Sequence, residues 1–233
     1  MEIKIRKYNS RESLWIDILN QTKVKDLLEI GVYKGEFTEV ILNNCEAIEN
    51  YLMIDPWMQL NNWDKPLNVD NSILQSAYLE AIQRTKRFGK KVQVIRGTTV
   101  DVIDNVEDNL LDFVYIDGDH TLRGITIDLI SAWKKVKKGG MIGGDDLTQN
   151  LWQHGPQHEP TLVFPYALYF AEAMKSTIFL LPFNQFLIFK NEDKYEFVDY
   201  TGTYQFFGLK KLIPKERTLK QALIDRILKC FRG

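Results

Sequence analysis

Short apolar runs recur along the chain with amphipathic stretches between them. That alternation is what a parallel sheet covered by helices produces. Residues 25–31 (KDLLEIG), 50–55 (NYLMID), 91–96 (KVQVIR), 111–117 (LDFVYID) and 140–143 (GMIG) are short, apolar and bounded by glycine or charge, so each reads as a buried strand. Between and after them, 37–44, 72–87, 98–106 and 122–136 predict helices. The apolar face of 72–87 falls on Ile73, Ala77, Leu79, Ala81 and Ile82, and that of 122–136 on Ile125, Leu129, Ala132 and Val136. Lys137-Lys138-Gly139-Gly140 reads as the stop of the latter. Beyond residue 147 the pattern changes. A loop over 147–160 precedes a helix over 162–175 and two strands, 176–181 and 185–190, joined at Pro182-Phe183-Asn184 as an antiparallel hairpin at the sheet edge. The expected fold is α/β, a doubly wound Rossmann-like sheet, mostly parallel.

The expected organisation is a helical lead-in over 1–24, one domain over 25–190 and a C-terminal extension over 191–233. The last stretch, 210–233, is basic and amphipathic. It reads either as a terminal helix packed on the domain or as a helix for a membrane surface or a partner. With 233 residues, 45% hydrophobic and 26% charged, the chain suits one full-sized globular domain. A net charge of −1 gives no global pull toward nucleic acid or an anionic membrane. Cys45 and Cys230 form no disulfide or zinc pattern, and the sequence lacks a signal-peptide core or a membrane-spanning run, so a cytoplasmic protein is expected.

Candidate chemistry gathers at the strand ends. Glu29-Ile30-Gly31-Val32-Tyr33-Lys34-Gly35 follows the first strand and opens a helix, where glycines admit a ligand to the backbone and the helix N-terminus offers free N–H groups. A dinucleotide enzyme would place a glycine at Tyr33. Glu29 suits a cationic ligand, either by neutralising an amino group or by shaping the loop. Asp55, at the end of the second strand, either accepts ribose hydroxyls or caps the turn before Pro56. Thr98 either meets an adenine edge or caps the next helix.

Taken together, LLEIGVYKGEFTEVIL, YLMIDPW, VIRGTT, LDFVYIDGDH and WKKVKKGGMIGGDD resemble the class I S-adenosylmethionine (SAM) dependent methyltransferases over residues 25–190. The likeness is to the methyltransferase domain 24 branch, with kin among macrolide-sugar and cephalosporin-pathway O-methyltransferases. It implies a seven-stranded sheet whose last strand is antiparallel. By the same resemblance Glu29, Gly31, Tyr33 and Gly35 line the methionine end of SAM, Asp55 holds the ribose, Thr98 lies near the adenine, and Asp117 borders the cofactor. Tyr33 departs from the commoner E-x-G-x-G-x-G form.

Asp117, Asp119 and His120 end the fourth strand, and Asp145 and Asp146 follow the fifth. Clustered carboxylates repel unless a cation or proton is shared, and a hard divalent ion such as Mg2+ would resolve this. The spacing resembles the catechol O-methyltransferase pattern, which implies Asp117, Asp145 and Asp146 as Mg2+ ligands and His120 as the catalytic base. The alternative for these residues is structural, with Asp119 as a helix cap and Asp145 and Asp146 as turn residues. His154 and His158, in the 147–160 loop, read either as surface histidines or as substrate contacts. Phe164, Tyr166, Tyr169 and Phe170 read as structural, with a pocket wall as the alternative.

The expectation is an O-methyltransferase acting on a hydroxyl of a small molecule or glycan. Nucleic-acid acceptors are disfavoured by the charge and by the lack of an N-P-P-Y-type tetrad. The rivals are a non-catalytic SAM-fold assembly protein and a nicotinamide-dependent enzyme, the latter disfavoured by Tyr33. The sequence leaves the acceptor and any homo-oligomer open.

Overall fold

The computed structural model describes residues 3–204. The basic stretch expected to form a helix over 210–233 lies outside the described residues. Helix α1 (Arg11–Thr22) starts at a reciprocal cap, in which the Ser10 and Ser13 hydroxyls each accept the other's backbone N–H, and it ends at Lys23 in the left-handed region. Eight strands form one sheet in the order β3-β2-β1-β4-β5-β7-β6-β8. They are β1 (Asp26–Ile30), β2 (Asn50–Asp55), β3 (Val92–Arg96), β4 (Leu111–Ile116), β5 (Val136–Gly144), β6 (Thr177–Leu181), β7 (Gln185–Phe189) and β8 (Glu196–Asp199). Among the described strands β7 alone runs opposite to the rest.

Alternation along the strands separates two cores. Leu27, Tyr51, Met53, Phe113 and Tyr115 face α1, α2 (Glu36–Asn44) and α3 (Asn71–Thr85). Leu28, Ile54, Val114, Ile116 and Ile142 face α5 (Leu122–Lys135) and α6 (Val163–Ala173), with the short α4 (Thr99–Val102) at their rim. The sheet is therefore doubly wound, as expected.

Three details differ from the sequence reading. Outside the antiparallel hairpin, β8 pairs parallel to β6 and adds an eighth strand to the seven implied. In α3 the buried face is Leu74, Ala77, Ala81 and Thr85, while Ile73 and Leu79 are 49% and 58% exposed. A 74/77/81/85 spacing keeps one stripe against the sheet, whereas 73 and 79 lie off it. Finally, α5 ends at Lys135, and the expected stop at 137–140 lies inside β5, where pairing to β4 shifts register between Leu111 and Phe113. Gly139 takes φ +81° there, and its N–H reaches the Lys190 carbonyl.

Strand order reverses between β1 and β4. Such a switch point opens a crevice at the carboxyl ends of the strands. Asp117 N–H donates to the Ile30 carbonyl at 2.8 Å across this point, and Gly31 N–H to the Ile54 carbonyl at 2.9 Å.

Candidate active site

The loop after β1 is held by the acid after β2. Asp55 Oδ2 accepts from the Val32 and Tyr33 N–H groups at 2.9 Å each, and Oδ1 accepts from Trp57 N–H at 2.7 Å. Burial pushes this carboxyl up, and the three backbone donors oppose the shift. Tyr33, where a glycine was missing, adopts φ +51°, the left-handed conformation that glycine would take freely. The loop tolerates it because Asp55 fixes the Tyr33 N–H while Trp57 Nε1 donates to the Tyr33 carbonyl at 2.7 Å. At Gly31, with φ +85°, a Cβ would lie 2.1 Å from the Asp117 carbonyl oxygen. Gly35, with φ +72°, precedes α2 as its N-cap.

Glu29 is 1% exposed and accepts from the Thr38 and Tyr51 hydroxyls at 2.5 Å each, tying α2 and β2 behind the loop. Burial raises its carboxyl to about 8, and the two hydroxyls only partly offset this. A neutral acid at pH 7 favours loop shaping over charge pairing, the two roles weighed for it. Thr98 precedes α4 but caps no backbone N–H; its hydroxyl donates to Asp101 Oδ2 at 2.5 Å. A cavity of about 500 Å3 runs past Gly31, Tyr33, Asp55, Thr98, Asp117 and Arg11, a volume ordinary for a small-molecule site.

The acids after β4 and β5 separate into two clusters. In the first, Arg11 Nη1 lies 3.1 Å from Asp117 Oδ2 and also pairs with Asp145 Oδ2. Asp145 Oδ1 accepts from Gln185 Nε2 and from Asp146 N–H, both at 2.6 Å. The Gln185 oxygen in turn accepts from Trp15 Nε1 at 2.8 Å and from the Tyr115 hydroxyl at 2.9 Å. Burial and the neighbouring Asp117 push the Asp145 carboxyl up. In the second cluster, Asp146, at φ +58°, pairs through Oδ2 with His120 Nδ1, and His154 Nε2 stands 3.7 Å away. Burial opposes the charged form of Asp146, yet the His120 hydrogen bond holds it near 2. Burial alone would lower His120; Asp117 and Asp146 override it and raise the imidazole to about 10. Its Nε2 is buried without a hydrogen-bond partner, 3.5 Å from Asp117 Oδ1.

The three carboxylates expected to bind Mg2+ thus do not converge on one point. Among the described residues, the donor atoms that lie within 4.8 Å of one another belong to His120, Asp146 and His154. Asp117 and Asp145 close instead on a guanidinium. This arrangement does not fit an all-oxygen Mg2+ site. The physical reason is that α1 carries its own cation to the position where the acids repel.

Other expectations resolve locally. Asp119 Oδ1 accepts from Thr121 N–H and from Trp63 Nε1, both at 2.9 Å, while Thr121 itself caps α5. His158 pairs with Asp64 at 3.0 Å and joins two surface loops rather than the cluster. Phe164 and Phe170 are buried in the core, and Tyr169 is 52% exposed. Sequence reasoning missed Arg11, which no local pattern marks. It also missed the cavity-lining role of Asp128, on α5, which is 3% exposed and which burial raises to about 7. A spacing of eleven residues from Asp117 on a helix that returns to the sheet was the available signal.

Residues 28–147, half of the chain, match the methyltransferase domain 24 family. An uncharacterized protein of Acanthamoeba polyphaga mimivirus is 28% identical over 138 residues, 58% of this chain and 56% of that protein. The chain therefore spans about half the length of the curated relative it matches. Among solved structures, an O-methyltransferase from Bacillus cereus in complex with S-adenosylhomocysteine (SAH) is 14% identical with a TM-score of 0.57, over 80% of this chain and 83% of that one. The SAM-bound O-methyltransferase TomG from Streptomyces achromogenes, of tomaymycin synthesis, is 15% identical with a TM-score of 0.54, over 76% and 78%. An SAH-bound methyltransferase of Podospora anserina is 19% identical with a TM-score of 0.54, over 78% and 80%. At these identities the structures speak to the fold, and the family match carries the assignment: the chain belongs to the methyltransferase domain 24 family, of the class I SAM-dependent methyltransferase type.

Proposed function

We propose that this chain is a SAM-dependent O-methyltransferase that moves a methyl group to a hydroxyl of a small molecule or glycan. The observation that carries the reading is the cavity that joins the glycine loop and Asp55 at one end to Asp117 and Arg11 at the other. SAM would lie along the loop formed by Gly31, Tyr33 and Gly35, with Glu29 shaping it from behind. Asp55 would take the ribose through lone pairs that its three backbone donors leave free. Thr98 would border the adenine. Placing the acceptor oxygen in line with the methyl group supplies most of the catalysis such a reaction needs.

His120 is the proposed base. Asp146 holds Nδ1, and Nε2 lies 3.5 Å from Oδ1 of Asp117, a residue that lines the cavity, so that His120 would take the proton by way of that edge. Asp117 and Asp145 meet the Arg11 guanidinium rather than offering their oxygens to Mg2+. No described helix is long and apolar enough to cross a membrane. A reducing, cytoplasmic setting is proposed from the free thiol of buried Cys45.

The test is transfer of a labelled methyl group from SAM to a panel of phenols, sugars and glycosides, with SAH release followed in parallel. A hydroxylated acceptor should take the label, and His120→Gln should remove most of the turnover. With a base held near 10, kcat/KM should climb with pH toward that value in the wild type and lose the climb in the variant. Folded protein that binds no SAH in calorimetry would overturn the reading and favour an assembly role.

A further inference from the structure

We infer that the Arg11 guanidinium is the resident cation of this site, standing where the acids after β4 and β5 otherwise call for a divalent metal, and that it anchors the acceptor oxygen. The inference rests on the methyl-transfer reading for its second half only.

Four observations support it. Arg11 Nη1 bridges Asp117 and Asp145, the two acids from different strands that a metal would have to join. The guanidinium is fixed rather than loose. The next turn of α1 is locked by Trp15, which is fully buried and bonded to the same Gln185 that holds Asp145. The Phe37 ring lies under the guanidinium, 5.6 Å from its carbon. Arg11 lines the cavity, and among the described residues its Nη2 meets no hydrogen-bond acceptor. An arginine cannot lose its proton under these conditions, so the charge is permanent and independent of metal supply.

Nη2 is then free to donate to the acceptor's oxygen. As the hydroxyl proton passes to His120 in its deprotonated form, the fraction of which grows as pH rises, an oxygen lone pair forms the O–CH3 bond. The S–CH3 bond breaks, and its electron pair stays on sulfur, giving SAH. The guanidinium stabilises the charge developing on oxygen and is not consumed. In a low-dielectric cavity a fixed donor of this kind does part of what a Lewis acid does elsewhere.

The experiment is Mn2+ binding to the full chain, read by electron paramagnetic resonance of the free ion, with and without SAH. Wild type should show no site that depends on Asp145. Arg11→Ala should bind Mn2+ about tenfold or more tightly than wild type, a difference that adding Asp145→Asn reverses. Arg11→Lys, which keeps the charge, should not gain the site. Wild-type Mn2+ binding that Asp145→Asn removes would overturn the inference. So would a folded Arg11→Ala protein, with a native circular dichroism melt, that gains nothing. SAH calorimetry on the same samples separates the two readings. A wild type that binds no SAH defeats methyl transfer, whereas the Mn2+ results decide the cation.

Discussion

Replacing Asp128 by asparagine should remove a buried acid that folds at a cost which grows with pH. Asp128 is 3% exposed on the inner face of α5. Burial is the main cause that lifts its carboxyl from an ordinary 3.8 to about 7; the Asp119 charge adds to this, while the Thr99 hydroxyl and His120 pull the other way. One pKa unit corresponds to about 1.4 kcal/mol, so ionising this group costs the folded state up to about 4 kcal/mol. The sign follows from proton counting. Between about pH 4 and 7 the folded chain keeps a proton that the unfolded chain has lost, so stability falls as pH rises through that window and levels off above it. Asparagine is a neutral isostere that keeps an acceptor for Thr99. Urea unfolding of wild type and Asp128→Asn across the window should therefore give similar free energies at the acid end. At the alkaline end the variant should be more stable by up to about 4 kcal/mol. Glu29, raised by burial to about 8, titrates in both proteins and cancels from the difference. A difference that stays constant with pH would refute the reasoning, because it would mean that Asp128 is already ionised, and solvated, in the folded chain.

Other substitutions probe the loop and its supports. Gly31→Ala would drive a Cβ to 2.1 Å from the Asp117 carbonyl at φ +85°, so SAH binding in calorimetry should be lost while the far-UV spectrum stays native; unchanged affinity would place the ligand elsewhere. Trp15→Ala empties a fully buried site against Phe113 and Tyr115 and should cost about 3–5 kcal/mol in thermal or urea unfolding, with a loss under about 1 kcal/mol counting against the docking of α1. Tyr51→Phe deletes one of two donors to Glu29 and should destabilise by about 1 kcal/mol, measured by the same unfolding curves.

The sheet was legible because its signals are local. An apolar run of five or six residues stopped by glycine or charge can be a buried strand wherever it sits, and β1 to β4 begin and end within one residue of the expected bounds. The glycine loop and Asp55 were legible for the same reason, since each lies where a strand must end. The eighth strand was not. Glu196–Asp199 is short and carries no strong alternation, and it becomes a strand only because β6 offers it an open edge. The face of α3 was misread because Ile73 and Leu79 are apolar yet off the stripe that packs, and hydrophobicity alone does not orient a helix.

The acids at the end of the sheet divide the same way. Sequence alone determined that Asp117, His120, Asp145 and Asp146 meet at one edge, because parallel neighbours β4 and β5 bring their carboxyl ends together. It could not determine how their charge is compensated. Spacing within a strand pair says that carboxylates are close, but not which cation reaches them. Arg11 arrives from 106 residues before Asp117 along the chain, on a helix docked by Trp15 against β4 and Gln185. His154 arrives from a loop that folds back after β5. Such partners have no fixed offset in sequence. Tertiary structure alone decided them, because Coulomb attraction depends on distance through space and not along the chain.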